Sequence, residues 1–279
     1  MLHRKAAGFL AFVAVIRLAC AVAAYGEDSV PYGANKAAGK FYSIRGFQMY
    51  CEVYGSGKPL LMIHGNDGSI SAFAHNIPYF ASRYRVIAAD SRAQGKSTDN
   101  GKALTFEMMA DDEAALLDAL HVDSACVVGW SDGGITALLL AMRHPERVIK
   151  LAATGANLWP EASAFAPGVW EDAKKHYDEF KDRARATDKE RNDWKLFMLD
   201  WSQPNISLTD LRSVRCPSLI ICGDHDLISI DHTAQIFRSI PRAALWVVPC
   251  SGHATLIEHA DDFDKNVDEF FSKPFHARN

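Results

Sequence analysis

Apolar residues in this chain fall into short dense runs, separated by longer stretches in which they recur every three or four positions. Runs at 60–63, 85–89, 125–128, 148–153, 218–222 and 244–248 are mostly apolar and end at Gly, Asp or polar turns. Runs this short and uniform predict strands buried on both faces of a parallel sheet. Two more, 40–45 and Phe47–Tyr54, flank Gly46 and predict a hairpin. Helical spacing appears at 107–120, 135–143, 232–240 and 261–271. The first of these opens on an acidic turn, which suits the positive end of a helix dipole. The last is anchored by Phe263, Val267, Phe270 and Phe271. Strands alternating with helices predict an α/β fold: a mostly parallel eight-stranded sheet with helices on both faces.

Two stretches break the alternation. Residues 157–206 show no strand pattern and set Trp159, Phe165, Trp170, Trp194, Phe197 and Trp201 among dense charges. They predict a small helical cap inserted after the sixth strand and lying over a site. Residues 25–39 are small and polar and predict a loose leader, so the main domain is expected over 40–279.

The N-terminus is of another kind. His3, Arg4 and Lys5 precede a run over 6–24 that is apolar except for Arg17, and small residues close it at Ala21–Ala24. This pattern predicts a signal peptide over 1–24 and a secreted or periplasmic protein. A central Arg costs about 2.5–3.5 kcal/mol in a spanning helix, which counts against a retained membrane anchor. Arg17 also stands where a lipobox before Cys20 has Leu, which counts against a lipoprotein.

Composition narrows the remaining classes. With 279 residues, 48% of them hydrophobic, the chain can build one large core. A net charge of −4 and no basic face exclude the electrostatic footprint of nucleic-acid binding. The six cysteines form no C-x-x-C and no metal pattern. Cys51, Cys126, Cys216, Cys222 and Cys250 lie beyond the leader, mostly in apolar runs, and predict buried thiols. Their odd number leaves at least one unpaired in any disulfide scheme within the chain. No feature reports the oligomeric state.

Gly129-Trp130-Ser131-Asp132-Gly133 matches G-x-S-x-G, with an apolar strand before it and a helix after it. A turn that sharp needs tiny residues two before and two after the serine, and it leaves the hydroxyl exposed at the sheet's carboxyl edge. Ser131 is therefore the candidate nucleophile, and a nucleophilic serine needs a base. His253, in a loop past the last apolar run, reaches the same edge and is the candidate; His259 falls at the start of the final helix and reads as structural. The base in turn needs an orienting carboxylate. Asp226 is preferred over Asp224, because two more residues carry it round the turn towards the His loop, leaving Asp224 to brace that turn. The oxyanion of a tetrahedral intermediate needs backbone donors. The N–H of Asp132 is one candidate. The N–H of Asn66, in His64-Gly65-Asn66-Asp67-Gly68 after the third strand, is the other. Asp67, His75 and the Asp132 side chain also lie near this site in the sequence-based reading.

Over residues 40–273 the chain resembles the α/β-hydrolase superfamily. Ile63-His64-Gly65 resembles its oxyanion-loop HG, residues 90–97 (DSRAQGKS) its D-x-R-G-x-G-x-S turn, and Gly252-His253 its terminal GH. GWSDGG at 129–134 resembles the elbow of valacyclovir-hydrolase-like, esterase and lactonase members. Ala93 departs from the pattern, where Gly is usual. The resemblance implies the chain order Ser, Asp, His and a serine hydrolase that needs no cofactor or metal. It leaves the substrate open, since many chemistries share the fold. A small-molecule carboxylic ester or lactone is the leading expectation. A carbon–carbon bond hydrolase with the same triad, a haloperoxidase-like side activity and a slow-turnover ligand receptor are the alternatives.

Overall fold

The apolar runs pair as one sheet. The computed structural model describes residues 30–275, so the expected signal peptide at 1–24 lies outside the described residues. The strands are β1 (Gly39–Ile44), β2 (Phe47–Tyr54), β3 (Lys58–Ile63), β4 (Tyr84–Ala89), β5 (Ala125–Trp130), β6 (Val148–Thr154), β7 (Ser218–Gly223) and β8 (Ala243–Val248). Their spatial order is β1-β2-β4-β3-β5-β6-β7-β8. β2 runs antiparallel to both its neighbours, and every pairing from β4 across to β8 is parallel. The sheet is thus eight-stranded and mostly parallel, as the alternation of runs requires.

The helices are α1 (Ile77–Ala81), α2 (Phe106–Ala119), α3 (Asp132–Arg143), α4 (Val169–Phe180), α5 (Asp188–Ser202), α6 (Ile230–Ser239), α7 (Thr255–Glu258) and α8 (Ala260–Ser272). Strand side chains alternate between faces with a period of two. Leu61 and Ile63 of β3 join a core with Leu116 of α2, Leu138 of α3 and Ile236 of α6. Leu60 and Met62 face the other way, towards Phe80 of α1, Leu256 of α7 and Phe263 of α8. Both faces are covered, which is why these strands read as continuous apolar runs.

Some local expectations change. β3 starts at Lys58, two residues before its apolar run, because Lys58 and Pro59 pair with Tyr84 and Arg85 through the backbone. The described part of the leader is not loose: the N–H groups of Gly33 and Asn35 both donate to the buried Glu52 carboxylate at 2.8 Å. A polar segment can be held firmly when a buried acceptor takes up its backbone donors. Ala93 holds φ = 64°, the left-handed conformation in which Gly is usual. Arg92 beside it is 1% exposed and donates through Nε and Nη2 to Asp112 of α2, which anchors this turn. Cys51, Cys126, Cys216 and Cys222 are buried free thiols and Cys250 an exposed one. No helix among the described residues is long and apolar enough to cross a membrane.

Between β6 and β7 the chain leaves the sheet and forms α4 and α5. α5 opens on a capping box: Thr187 Oγ1 accepts from Glu190 N–H, and the Glu190 carboxylate accepts from Thr187 N–H. The two helices meet through a stack of rings. Trp170 lies 4.8 Å from Trp201 at 5°, and Trp201 lies 4.4 Å from Tyr177 at 9°.

Candidate active site

β5 ends at Trp130, and Ser131 follows with φ = 57° and ψ = −120° before α3 begins. This region is costly for a residue with a side chain, and such strain clusters where function requires it. The flanking glycines have a steric cause. A Cβ on Gly129 would lie 2.1 Å from the Gly133 carbonyl oxygen, and one on Gly133 would lie 1.9 Å from that of Ile63. The turn therefore closes only with glycine at both positions, and it is pressed against the end of β3.

Ser131, His253 and Asp226 meet there. His253 Nδ1 lies 2.6 Å from Asp226 Oδ1, and His253 Nε2 lies 2.9 Å from Ser131 Oγ. The carboxylate fixes the tautomer: Nδ1–H donates to Asp226, leaving Nε2 to accept the serine proton. Asp226 is itself held by backbone N–H groups, Ile228 to Oδ1 at 3.0 Å and Gly223 to Oδ2 at 3.4 Å. Trp130 Nε1–H donates to the His253 carbonyl at 2.9 Å, tying the His loop to the turn at Ser131. Asp224 takes the bracing place, accepting from Cys250 N–H at 2.9 Å and Ser251 N–H at 3.0 Å. His259 stands at the start of the last helix, and its Nε2 lies 3.1 Å from the Cys250 carbonyl.

Burial pushes the His253 imidazole down. The charge of Asp226, the hydrogen bond to it, and the charges of Glu258 and Asp200 together outweigh burial and hold it above the usual histidine range. A base in that range is strong enough to take a hydroxyl proton as the oxygen attacks.

The loop after β3 lies against the serine. A Cβ on Gly65 would stand 3.0 Å from Ser131 Cβ, closer than side chains ordinarily pack, so glycine lets this loop lie against the nucleophile. His64 holds the loop's shape: its Nδ1 faces the Gly65 carbonyl at 2.7 Å and its Nε2 accepts from Ser91 N–H at 2.9 Å. Asp132 follows Ser131 as the first residue of α3, where backbone N–H groups lack helical acceptors.

A pocket of about 670 Å³, counting its mouth, opens over the serine. Its walls include Phe165, Trp170, Phe197, Trp201, Leu227 and Ile228, so the cap aromatics and the loop after β7 form its apolar side. Asp67 and His75 do not line it, whereas Asp132 does. Asp200 also lines it, and the sequence-based reading missed this residue. The available signal is positional: Asp200 lies one turn after buried Leu196 on the same face of α5, and an acid on the apolar face of an amphipathic helix calls for a partner. Its carboxylate accepts from Asn66 Nδ2 at 2.7 Å and lies beside the Asp132 carboxyl in the pocket wall. Burial raises both acids. Asp132, facing the Asp200 charge, is held well above the carboxylate range, and Asp200 is pushed up to about 6. Asp132 is the more strongly raised of the two and holds its proton, whereas Asp200 is mostly ionised near neutrality.

Comparison with known proteins agrees with this geometry. A family model described as alpha/beta hydrolase fold matches residues 58–193. The mouse (Mus musculus) serine hydrolase BPHL is 26% identical over 254 residues, spanning 82% of this chain and 84% of that protein. The 2-hydroxymuconate semialdehyde hydrolase of Pseudomonas sp. (strain CF600) is 30% identical over 261 residues, spanning 78% of this chain and 88% of that protein. Among solved structures, a meta-cleavage product hydrolase from Pseudomonas fluorescens IP01 superposes with a TM-score of 0.66 at 26% identity, covering 84% of this chain and 97% of that one.

Proposed function

The chain belongs to the α/β-hydrolase family and is a hydrolase; within that family we propose that it is a serine esterase acting on a small carboxylic ester or lactone through an acyl-enzyme. Ser131 Oγ attacks the carbonyl carbon while His253 Nε2 takes its proton. Asp226 holds the imidazole and stabilises its charged form. The N–H groups of Asn66 and Asp132 receive the oxyanion. His253 returns the proton to the leaving alkoxide, then activates the water that releases the acyl group.

The observation that favours an ester over a carbon–carbon substrate is the charge of the pocket. Relatives of the second kind are named for carboxylate substrates such as 2-hydroxymuconate semialdehyde. The described pocket wall here holds two acids, Asp132 and Asp200, and no Lys or Arg. A wall with one negative charge repels a carboxylate and suits a neutral or cationic ester. The aromatic side favours an apolar or aryl group. The basic and apolar pattern over residues 3–24 supports an exported enzyme, which N-terminal sequencing of the mature protein would test.

The decisive assay is hydrolysis of neutral aryl esters of increasing chain length, beside an anionic aryl ester and a 2-hydroxymuconate-type dienoate. Neutral esters should turn over fastest, and Ser131→Ala should lose that activity. Faster turnover of the dienoate would overturn the ester reading in favour of carbon–carbon cleavage. Equal ester hydrolysis by Ser131→Ala would remove Ser131 as nucleophile.

A further inference from the structure

Asn66 and Asp132 come from different segments, one from the loop after β3 and the other from the start of α3. Their side chains nevertheless converge on a single cap residue. Asn66 Nδ2 donates to Asp200 Oδ2 at 2.7 Å and to the Leu196 carbonyl at 3.1 Å, both on α5. The Asp132 carboxyl lines the pocket beside the same Asp200; burial and the Asp200 charge raise it, and its buried Oδ2 takes no other partner among the described residues. Nothing in the triad requires this arrangement, and it joins the cap to the sheet edge at the point where the oxyanion would sit.

We propose that Asp200 is a positioning residue for the oxyanion hole: by holding the side chains of Asn66 and Asp132 together, it fixes the directions of their two backbone N–H groups. The proposal rests on the proposed function, with Ser131 as nucleophile and these two N–H groups as the oxyanion donors. It makes the cap part of the transition-state machinery as well as a wall of the substrate pocket.

The chemistry of the cluster sets how it responds to pH. The groups facing Asp200 are Asn66 on the loop after β3, Asp132 on α3 and His253 on the loop after β8. Near neutrality Asp200 is mostly ionised, and Asn66 donates to a charged acceptor, which makes the stronger hydrogen bond. When acid protonates Asp200, that acceptor becomes neutral and the clamp weakens. The Asp200 charge also helps hold the His253 imidazole up. Asp200→Asn can still accept from Asn66 and present an amide N–H to Asp132, but it removes the charge that His253 feels in wild type.

The test compares Asp200→Ala and Asp200→Asn with wild type, reading kcat, KM, the pH profile and inhibition by phenylboronic acid. That inhibitor forms a tetrahedral adduct on an active-site serine and so samples the oxyanion hole. Asp200→Ala should lower kcat on the order of 10²-fold, about the effect of losing one oxyanion donor. Boronate binding should weaken by a similar factor, with KM for a short neutral ester changed by less than about 3-fold. Asp200→Asn should recover most of kcat and move the acid limb of the profile to lower pH. A rise in KM with kcat and boronate affinity intact in Asp200→Ala would overturn the proposal and leave Asp200 as a pocket wall. If Asp200→Ala does not fold, Asn66→Ala removes the same clamp from its other end, and unchanged kcat and boronate affinity there would equally overturn it. Failure of the underlying reading looks different: Ser131→Ala would hydrolyse the ester and bind the boronate as wild type does.

Discussion

Ser131 carries the strain of the site and, in the proposed mechanism, its chemistry. Its φ of 57° is a conformation that side chains resist, at a cost of about 1–3 kcal/mol. Glycine adopts it freely but costs about 0.5–1 kcal/mol in unfolded-chain entropy. Ser131→Gly should therefore be more stable than Ser131→Ala, by on the order of 1 kcal/mol, while both lose about 10⁴–10⁶ in kcat. Thermal unfolding of the two variants checks this, and a Ser131→Ala protein at least as stable as Ser131→Gly would mean that the turn holds no strain. The three residues that meet at this point were legible in the sequence because each follows a strand end within a few positions, and strand ends share one edge of a parallel sheet. Asp200 was not, because its partners Asn66 and Asp132 lie far away in the chain and come together only when α5 folds over the sheet.

At the scale of elements, legibility followed burial. The central strands were readable because residues facing α2, α3 and α6 alternate with residues facing α1, α7 and α8, and both sets must be apolar. α1 went unread because five residues, with Pro78 near the start, give too little periodicity. The cap was readable only as aromatics among charges, since α4 and α5 bury few residues and face each other through rings. That stack gives the element its own test. Trp201 stacks on Trp170 and Tyr177 and also lines the pocket. Trp201→Ala should loosen the cap and remove apolar surface from the substrate together. KM for long or aromatic acyl esters should rise on the order of 10-fold, with kcat for an acetyl ester changed only a few-fold. Steady-state kinetics on the two ester types decides it. An equal loss on both would assign Trp201 to the shape of the catalytic centre and not to acyl recognition.

For the whole molecule, the sharpest consequence comes from an acid in the core, away from the pocket. Glu113 of α2 is 2% exposed, and its Oε2 has no hydrogen-bond partner among the described residues. Burial, with a smaller contribution from the charge of Asp112, pushes its carboxyl from 4.5 up to about 8. The folded protein therefore keeps this proton at pH 7, whereas the unfolded chain has released it. An acid raised in this way binds more protons folded than unfolded, so stability is highest below the unfolded value and falls as pH rises through the interval up to the folded one. At about 1.4 kcal/mol per unit, the penalty at pH 7 is on the order of 3 kcal/mol. Glu113→Gln cannot ionise and removes the pH dependence while keeping the side chain's shape. Its buried amide has its own hydrogen-bonding cost, but that cost is the same at every pH. The stability of Glu113→Gln relative to wild type should thus improve by about 3 kcal/mol between pH 5 and pH 8. Urea unfolding at the two pH values measures this difference directly. Parallel curves would show that Glu113 ionises in the folded state as it does in water, and that the core around α2 admits solvent.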